Sequence, residues 1–315
     1  MPTPWPTANS GRDGCVICGR SHAEVWLTGP DRFNGRSDPY QLVRCPVCSL
    51  VWLNAPPSPS EMGYHYGENY DREIANAASA PDHWLPRRNK LLRLKSGGAI
   101  LDLGCGTGGF LSAMQAPPWK LYGVEMSEGA ARVARQRCGA EVFAGDLLEA
   151  PFPEKSFDAI TCFNVFEHMY EPGAVLGRVS KWLKPGGIFY TMMPNIDSAA
   201  CRVFRSYWYA LEMPRHLFHF SPATLKKLAQ SSGLKEVSVT THRETYSEAS
   251  WHYVIDDLLK RAGYRRPPMS EFRVERLHVK IARKAFRMTL LPLIDAAISR
   301  FGDGETMTAV FTKQD

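Results

Sequence analysis

The chain reads as an α/β protein, with a mostly parallel, seven-stranded sheet covered by helices on both faces and a small cysteine-rich appendage ahead of it. Three observations predict this. From residue 99 onward, seven short apolar runs alternate with helix-forming stretches, and such alternation packs as a parallel sheet between helix layers. The first run, Ala99–Leu103, breaks into a turn holding Gly104, Gly106, Gly108 and Gly109, where the missing Cβ lets backbone amides approach a ligand. Before the alternation starts, Cys15-Val-Ile-Cys18 and Cys45-Pro-Val-Cys48 form two tight turns suited to presenting four thiolates to one zinc ion.

A chain of 315 residues that is 44% hydrophobic can bury one large core plus a small appendage. No apolar stretch approaches the roughly twenty residues that span a bilayer. The opening MPTPWPTANSGRDG lacks the basic-then-apolar pattern of a secretory signal, so a cytoplasmic protein is expected. There, eight cysteines point to metal binding or isolated thiols rather than disulfides. The formal net charge is +6, and Asp256–Arg300, with eleven Lys and Arg against five Asp and Glu, accounts for all of it. The rest is neutral overall, which argues against a surface that coats nucleic acid generally.

Residues 1–55 are expected to form the zinc ribbon, with an insertion between its cysteine pairs. Four sulfurs leave no open coordination position, so the site reads as structural. Metal binding of order 10 kcal/mol would fold a segment too small to have its own core. Cys105, Cys138, Cys162 and Cys201 read as core thiols or as part of the glycine turn. Pro56–Pro59 marks a boundary, and residues 56–98 form a linker carrying the cluster Tyr64-His65-Tyr66-Gly67-Glu68-Asn69-Tyr70. Residues 99–315 form the main domain. Its strands are expected at Ala99–Leu103, Lys120–Glu125, Glu141–Ala144, Phe157–Phe163, Gly187–Met193, Lys235–Thr241 and Met307–Thr312. Helices are expected at Gly109–Gln115, Glu128–Cys138, Gly173–Leu183 and Pro222–Ser231, the last with Ser221 as N-cap and Gly233 as stop. Residues 246–304 make a helical insertion, too long for a hairpin loop. Within it, Val274, Leu277, Ile281, Ala285 and Met288 recur at helical spacing beside a basic stripe of Arg273, Arg276, Lys280, Arg283, Lys284 and Arg287. Such a helix either docks on anionic lipid, nucleic acid or an acidic substrate, or presents a solvated face above a core stripe. Peripheral membrane contact through residues 273–300 therefore stays open.

Gly104, Gly106 and Gly109 also satisfy G-x-G-x-x-G, which alone is a weak sign of a dinucleotide. Glu125 ends the second run about twenty residues later, where a Rossmann-like site holds a ribose hydroxyl. Three details favour S-adenosylmethionine. Asp102, just before the glycines, would repel a pyrophosphate but attract an ammonium group. Gly145-Asp146-Leu147 ends the third run with an acid able to accept from an adenine amino group. Leu183–Gly187, LKPGG, stops a helix and turns into the fifth strand. At these residues the chain resembles class I S-adenosylmethionine-dependent methyltransferases. The likeness is greatest to the broad group, including methyltransferase types 11, 12 and 23, that shares LDLGCGTG, FEH after strand four, and LKPGG. It runs from Ala99 to Phe220 and weakly beyond. It implies that the last of the seven strands is antiparallel and that the Tyr-rich segment folds over the cofactor with Tyr66 or Tyr70 as lid. Zinc appendages precede the catalytic domain in several such families, sugar C-methyltransferases and ribosomal RNA methyltransferases among them.

Position then suggests roles. The turn at Gly104, Cys105, Gly106 and Gly108 would cradle the amino-acid end of the cofactor, with Asp102 beneath its ammonium. Glu125 would take the ribose diol and Met126 would pack on adenine. Asp146 and Leu147 would bind the adenine edge, and Phe163 would lie against the sulfonium side. For an oxygen or carbon acceptor a base is required. His168, just past strand four, is one candidate, because near-neutral titration suits it. The other is His216 in Pro214–Phe220, which resembles the substrate-facing segment of O-methyltransferases related to quinone biosynthesis. There Arg215 could clamp a phosphate or carboxylate, with His219 alongside. No Asn/Asp-Pro-Pro-aromatic sequence and no Pro-Cys follows strand four, which disfavours methylation of exocyclic base amines and of cytosine C5. The expectation is O-methylation of a small acceptor such as a sugar, nucleotide-linked sugar or related metabolite. The alternatives are an RNA methyltransferase gripping phosphate with the ribbon and basic helix, and a non-catalytic module that binds the cofactor or a protein.

Overall fold

The computed structural model describes residues 14–66, 81–115, 119–243, 246–263, 289 and 304–313. In chain order the elements are β1 (Glu24–Pro30), β2 (Pro39–Arg44), β3 (Val51–Leu53), α1 (Pro59–Tyr66), α2 (Leu85–Leu94), β4 (Gly98–Leu103), α3 (Gly109–Ala113) and β5 (Trp119–Glu125). There follow α4 (Glu128–Cys138), β6 (Glu141–Ala144), β7 (Phe157–Phe163), α5 (Pro172–Trp182), β8 (Leu183–Pro194) and α6 (Ala199–Phe204). The chain ends with β9 (Phe218–His219), α7 (Pro222–Ser231), β10 (Leu234–His242), α8 (Tyr246–Arg261) and β11 (Thr306–Lys313). These form two compact units that interleave along the sequence. One comprises Met1–His65, Pro194–Thr224 and Thr241–Met307, the other Tyr66–Met193, Leu225–Thr240 and Thr308–Asp315.

The first unit holds a four-stranded sheet in the order β1-β2-β3-β9. Its N-terminal strands pair antiparallel, and β3 then pairs antiparallel with β9, Val51 opposite His219 and Trp52 opposite Phe218. Leu42, Leu50, Leu53, Leu217 and Phe218 are fully buried there. Phe218 and His219 belong to the segment expected to face the acceptor, and they are also the strand that closes this sheet. Asp31 sits at the end of β1 as a buried acid, accepting from Asn34 through its backbone and side chain and lying 3.3 Å from His65.

The second unit is built on the seven-stranded sheet, ordered β10-β11-β8-β7-β4-β5-β6. β4 pairs parallel with β5 and β7, and parallel pairing extends to β6 on one side and β8 on the other. Strands covered on both faces must be apolar almost throughout, and Ile100, Leu101, Leu103, Ala159, Ile160 and Cys162 are wholly enclosed. α4 runs over the residues expected, because both ends carry local signals. Ser127 Oγ accepts the amide of Ala130 at 3.2 Å, and Gly139 stops the helix at φ +65°. Around the sheet, Phe163 packs edge-on against Phe110 and Tyr190, with Trp84 tilted beside it.

Most bounds fall within two residues of those expected, and one differs by more. LKPGG was expected as a turn before a strand at Gly187, but β8 already starts at Leu183. Leu183 pairs with Phe157 and Ile188 with Ala159, so the pentapeptide is a bulge at the strand's head, with Gly186 at φ +68°. The basic stripe from Arg273 to Arg287 and Tyr70 lie outside the described residues. Among the described residues no helix is long and apolar enough to cross a membrane.

Candidate active site

The C-terminal ends of parallel strands, where the order of connections reverses, are where open α/β sheets bind ligands. In the second unit those ends carry the motif residues. After β4 the chain makes its glycine turn, with Gly104, Gly106 and Gly108 all at positive φ. At Gly104 a Cβ would stand 2.6 Å from the methyls of Val165, and at Gly108 it would stand 3.0 Å from Ala134. Glycine is thus required by the turn's own packing as well as by any ligand. Glu125, at the end of β5, pins this turn: its Oε2 accepts from the Gly106 amide at 2.8 Å and its Oε1 from the Ser127 amide at 3.0 Å. Each carboxylate oxygen has a second lone pair, so two acceptor directions stay available to a diol. Met126, next to it, is 70% exposed, an apolar side chain held out where a flat ring can cover it.

Asp102 lies deeper than the motif suggests. It is buried, and its Oδ1 accepts from Thr161 Oγ1 of β7 at 2.6 Å. Burial pushes its carboxyl up to about 7; the Thr161 hydrogen bond opposes this rise, and the charge of Glu125 adds to it. Thr161 escaped the sequence reading, although a polar residue within FDAITCF was a usable signal, since a buried hydroxyl needs a partner. At the end of β6, Asp146 caps the following turn by accepting the Leu148 amide at 2.8 Å through Oδ1. Asp146 is exposed and Leu147 buried. Cys105 is buried, with Gly123 so close that a Cβ there would meet its sulfur at 2.7 Å.

The end of β7 carries Phe163 and, one short turn later, His168. Here the chain reverses through Asn164 at φ +54°, and the short turn Phe166–His168 leaves His168 half-buried. Tyr66, the last residue of α1, meets it: Tyr66 Oη lies 3.1 Å from His168 Nδ1. Tyr66, one of the two lid residues offered by the resemblance, and His168, one of the two candidate bases, are thus hydrogen-bonded to one another. Arg87 of α2 adds a cation near this rim, 5.9 Å from the Phe163 ring and 3.3 Å from Met192 Sδ. Nothing local in the sequence distinguished Arg87 from its neighbour Arg88.

The first unit holds the remaining candidates. The four sulfurs of Cys15, Cys18, Cys45 and Cys48 lie within 4.8 Å of one another, close enough to ligate one ion. The two turns repeat the same geometry. Gly19 and Ser49 sit at φ +69° and +67°, and their amides return to Cys15 O and Cys45 O at 2.8 and 3.0 Å. Each leading cysteine then donates its own amide to Arg20 O or Leu50 O at 2.9 Å. Burial raises the Cys45 thiol, but the amides of Cys48 and Val47, followed by the Cys18 and Cys48 thiols, outweigh it and bring the group down to about 7.

Arg215 is buried, ion-paired to Glu212 at 2.6 Å and stacked 3.7 Å over Phe33. His216 is buried beside it and donates Nδ1–H to Ala210 O at 2.9 Å. Burial, and after it the electrostatic influence of His219 and Arg215, holds its proton affinity well below the ordinary histidine range. His219 faces the same interior from β9.

Residues 70–239 match the methyltransferase-domain family. A ubiquinone biosynthesis O-methyltransferase of Thiobacillus denitrificans is 28% identical over 170 residues, half of this chain and 71% of that protein. A demethylmenaquinone methyltransferase of Symbiobacterium thermophilum is 29% identical over 152 residues, 42% of this chain and 61% of that one. Phosphoethanolamine N-methyltransferase 2 of Haemonchus contortus, solved with S-adenosylmethionine, superposes with a TM-score of 0.53 at 16% identity, covering 84% of this chain and 63% of that one; this is a likeness of fold. With the motif turn, the strand-end acids and the sheet order already in hand, the chain belongs to the methyltransferase-domain family, as a class I S-adenosylmethionine-dependent methyltransferase.

Proposed function

We propose that the chain methylates a hydroxyl of a small polar acceptor, with His168 as base and a structural zinc ion held by Cys15, Cys18, Cys45 and Cys48. The observation that carries this reading is the convergence, at the ends of β4 to β7, of the glycine turn, Glu125, Asp146 and a half-buried histidine. Bound S-adenosylmethionine supplies a methyl that is already activated. The protein's share is alignment and proton removal. The turn from Gly104 to Gly108 cradles the amino-acid end, and Asp102 stands beneath the ammonium. Glu125 takes the ribose diol on its spare lone pairs, Met126 and Leu147 flank the adenine, and Asp146 accepts from the adenine amino group. Phe163 limits the sulfonium side.

His168 is favoured over His216 by access, being half-buried where His216 is buried, and burial opposes charging of His216. Arg215 is held by Glu212. With His219 and Tyr70 it stands as a candidate for contact on the acceptor side. The two curated relatives are named for quinone biosynthesis, which supports a small-molecule acceptor; neither name refers to a sugar. The repeated turn geometry of the two cysteine pairs supports zinc, because tetrahedral four-sulfur sites are assembled from two such turns.

The test is incubation of the pure protein with methyl-labelled S-adenosylmethionine and cell extract, with and without ribonuclease, and with Asp146→Ala as control. Label in small molecules that survives ribonuclease is the expected result. Label lost with ribonuclease moves the acceptor to RNA, and cofactor binding with no transfer at all sinks the enzymatic reading. If His168→Ala turns over like wild type, His168 is not the base.

A further inference from the structure

We infer that Asp102 carries a proton before the cofactor binds and releases it to solvent on coming to accept from the cofactor's ammonium group, so that cofactor binding and proton release are coupled. The inference rests on the reading of Asp102 as the partner of that ammonium and deepens it. Asp102 lies in β4, between β5 and β7, and is 4% exposed. Its Oδ1 accepts from Thr161 Oγ1 at 2.6 Å, and among the described residues no second donor reaches the carboxyl. Glu125, also buried, ends the adjacent strand with its oxygens on the amides of Gly106 and Ser127. Neither acid has an ion-pair partner among the described residues. The other groups facing Asp102 do not supply the missing charge. Arg137 of α4 donates to Thr107 Oγ1 at 3.1 Å. Cys105 on the turn, Cys138 on α4 and Cys162 on β7 each have their thiol raised by burial, with the charge of Asp102 adding to the rise, so they stay neutral.

Two buried carboxylates on adjacent strands with no cation beside them form a charge deficit. A buried acid without a counter-ion is relieved by taking a proton. Asp102, with one hydroxyl donor against the two amides of Glu125, is the one to take it. Burial pushes its carboxyl up to about 7, against the Thr161 hydrogen bond and with the charge of Glu125. Thr161 occupies Oδ1, which leaves Oδ2 to hold the proton and then to meet the ammonium. In the exchange the O–H bond of Asp102 breaks, its electron pair stays on oxygen and the proton passes to solvent. One positive charge replaces another, and nothing is oxidised or reduced. A ligand that must displace a proton binds about tenfold more weakly for each pH unit below the group's value. With that value at about 7, affinity should fall about tenfold from pH 8 to 6 and about tenfold again by pH 5.

The experiment is titration calorimetry of the full chain near pH 6 in buffers of different ionisation enthalpy, which counts the protons exchanged. S-adenosylhomocysteine, which keeps the ammonium, should release about 0.9 of a proton per molecule bound. 5′-Methylthioadenosine, which keeps the adenosine and the sulfur but lacks the amino-acid end, should release none. Asp102→Asn keeps the shape and cannot ionise. It should bind S-adenosylhomocysteine without proton release and with an affinity that is flat from roughly pH 5.5 to 7.5. Thr161→Val removes the donor that favours the charged form, so the midpoint of the affinity profile should move to higher pH. The inference is overturned by a wild-type affinity flat across that range, by equal release with both ligands, or by release that persists in Asp102→Asn. If Asp102→Asn fails to fold or to bind, the comparison of the two ligands on wild type still decides. Wild type that binds neither S-adenosylhomocysteine nor S-adenosylmethionine ends the cofactor reading and the inference with it. Binding without proton release ends the coupling alone and leaves the cofactor reading standing.

Discussion

Glu125 anchors the glycine turn through the Gly106 amide, and in the proposed function it also takes the ribose diol. Glu125→Ala should raise the S-adenosylmethionine dissociation constant about ten- to a hundredfold, the worth of losing one or more hydrogen bonds to a charged group, as read by calorimetric titration. Wild-type affinity would mean that it neither anchors the turn nor touches the ligand. Asp102 makes a second expectation with a definite sign. Its carboxyl is raised from 3.8 to about 7 by burial, so between those values the folded chain holds a proton that the unfolded chain has released. Its contribution to stability is complete below the unfolded value and is lost as pH rises toward 7. Melting temperatures of the cofactor-free protein should show that decline, and Asp102→Asn should flatten it. An unchanged pH profile would place the proton elsewhere. The placing of Asp102, Glu125 and Asp146 at strand ends was legible because each stands at the close of an apolar run of its own. Thr161 and Tyr66 were assigned no partner, since each acquires its partner across space rather than along the chain.

At the scale of elements, what could be read depended on whether the stop signals were local. α4 has Ser127 at one end and Gly139 at the other, and its bounds follow from those residues alone. Ser127→Ala should cost about 1 kcal/mol of stability in denaturant unfolding. LKPGG carries turn residues, yet the hydrogen-bonding row of β7 captures Leu183 opposite Phe157, and sheet pairing outweighs local preference. The cysteine turns were legible as a pair because C-x-x-C spacing is itself the geometry. One zinc per chain is expected by elemental analysis. Cys45→Ser should lose it together with several degrees of melting temperature, while Cys201→Ala, a buried thiol elsewhere in the same unit, should keep the metal. Zinc content unchanged in Cys45→Ser would remove that residue from the site.

For the molecule as a whole, charge says something that no single element does. The excess of +6 resides in Asp256–Arg300, so the rest of the chain has no net charge to attract phosphate. Methylation of a small acceptor should change little between 50 and 200 mM salt, whereas a grip on several phosphates would weaken by orders of magnitude on that scale. The interleaving of two units was not legible, because β9 is two residues long and its meaning lies wholly in its partner, β3. That pairing joins Trp52 to Phe218, and it has a consequence for biosynthesis. A ribosome finishes both cysteine turns by residue 48, but the open side of β3 finds its mate only after Phe218 has left the exit tunnel. Throughout that interval the nascent chain exposes an unmated strand edge, the feature most prone to join a neighbour's. Early loading of metal would hold the hairpin in register while it waits, and starving translating cells of zinc should send this chain to chaperones or inclusion bodies before it harms any finished enzyme.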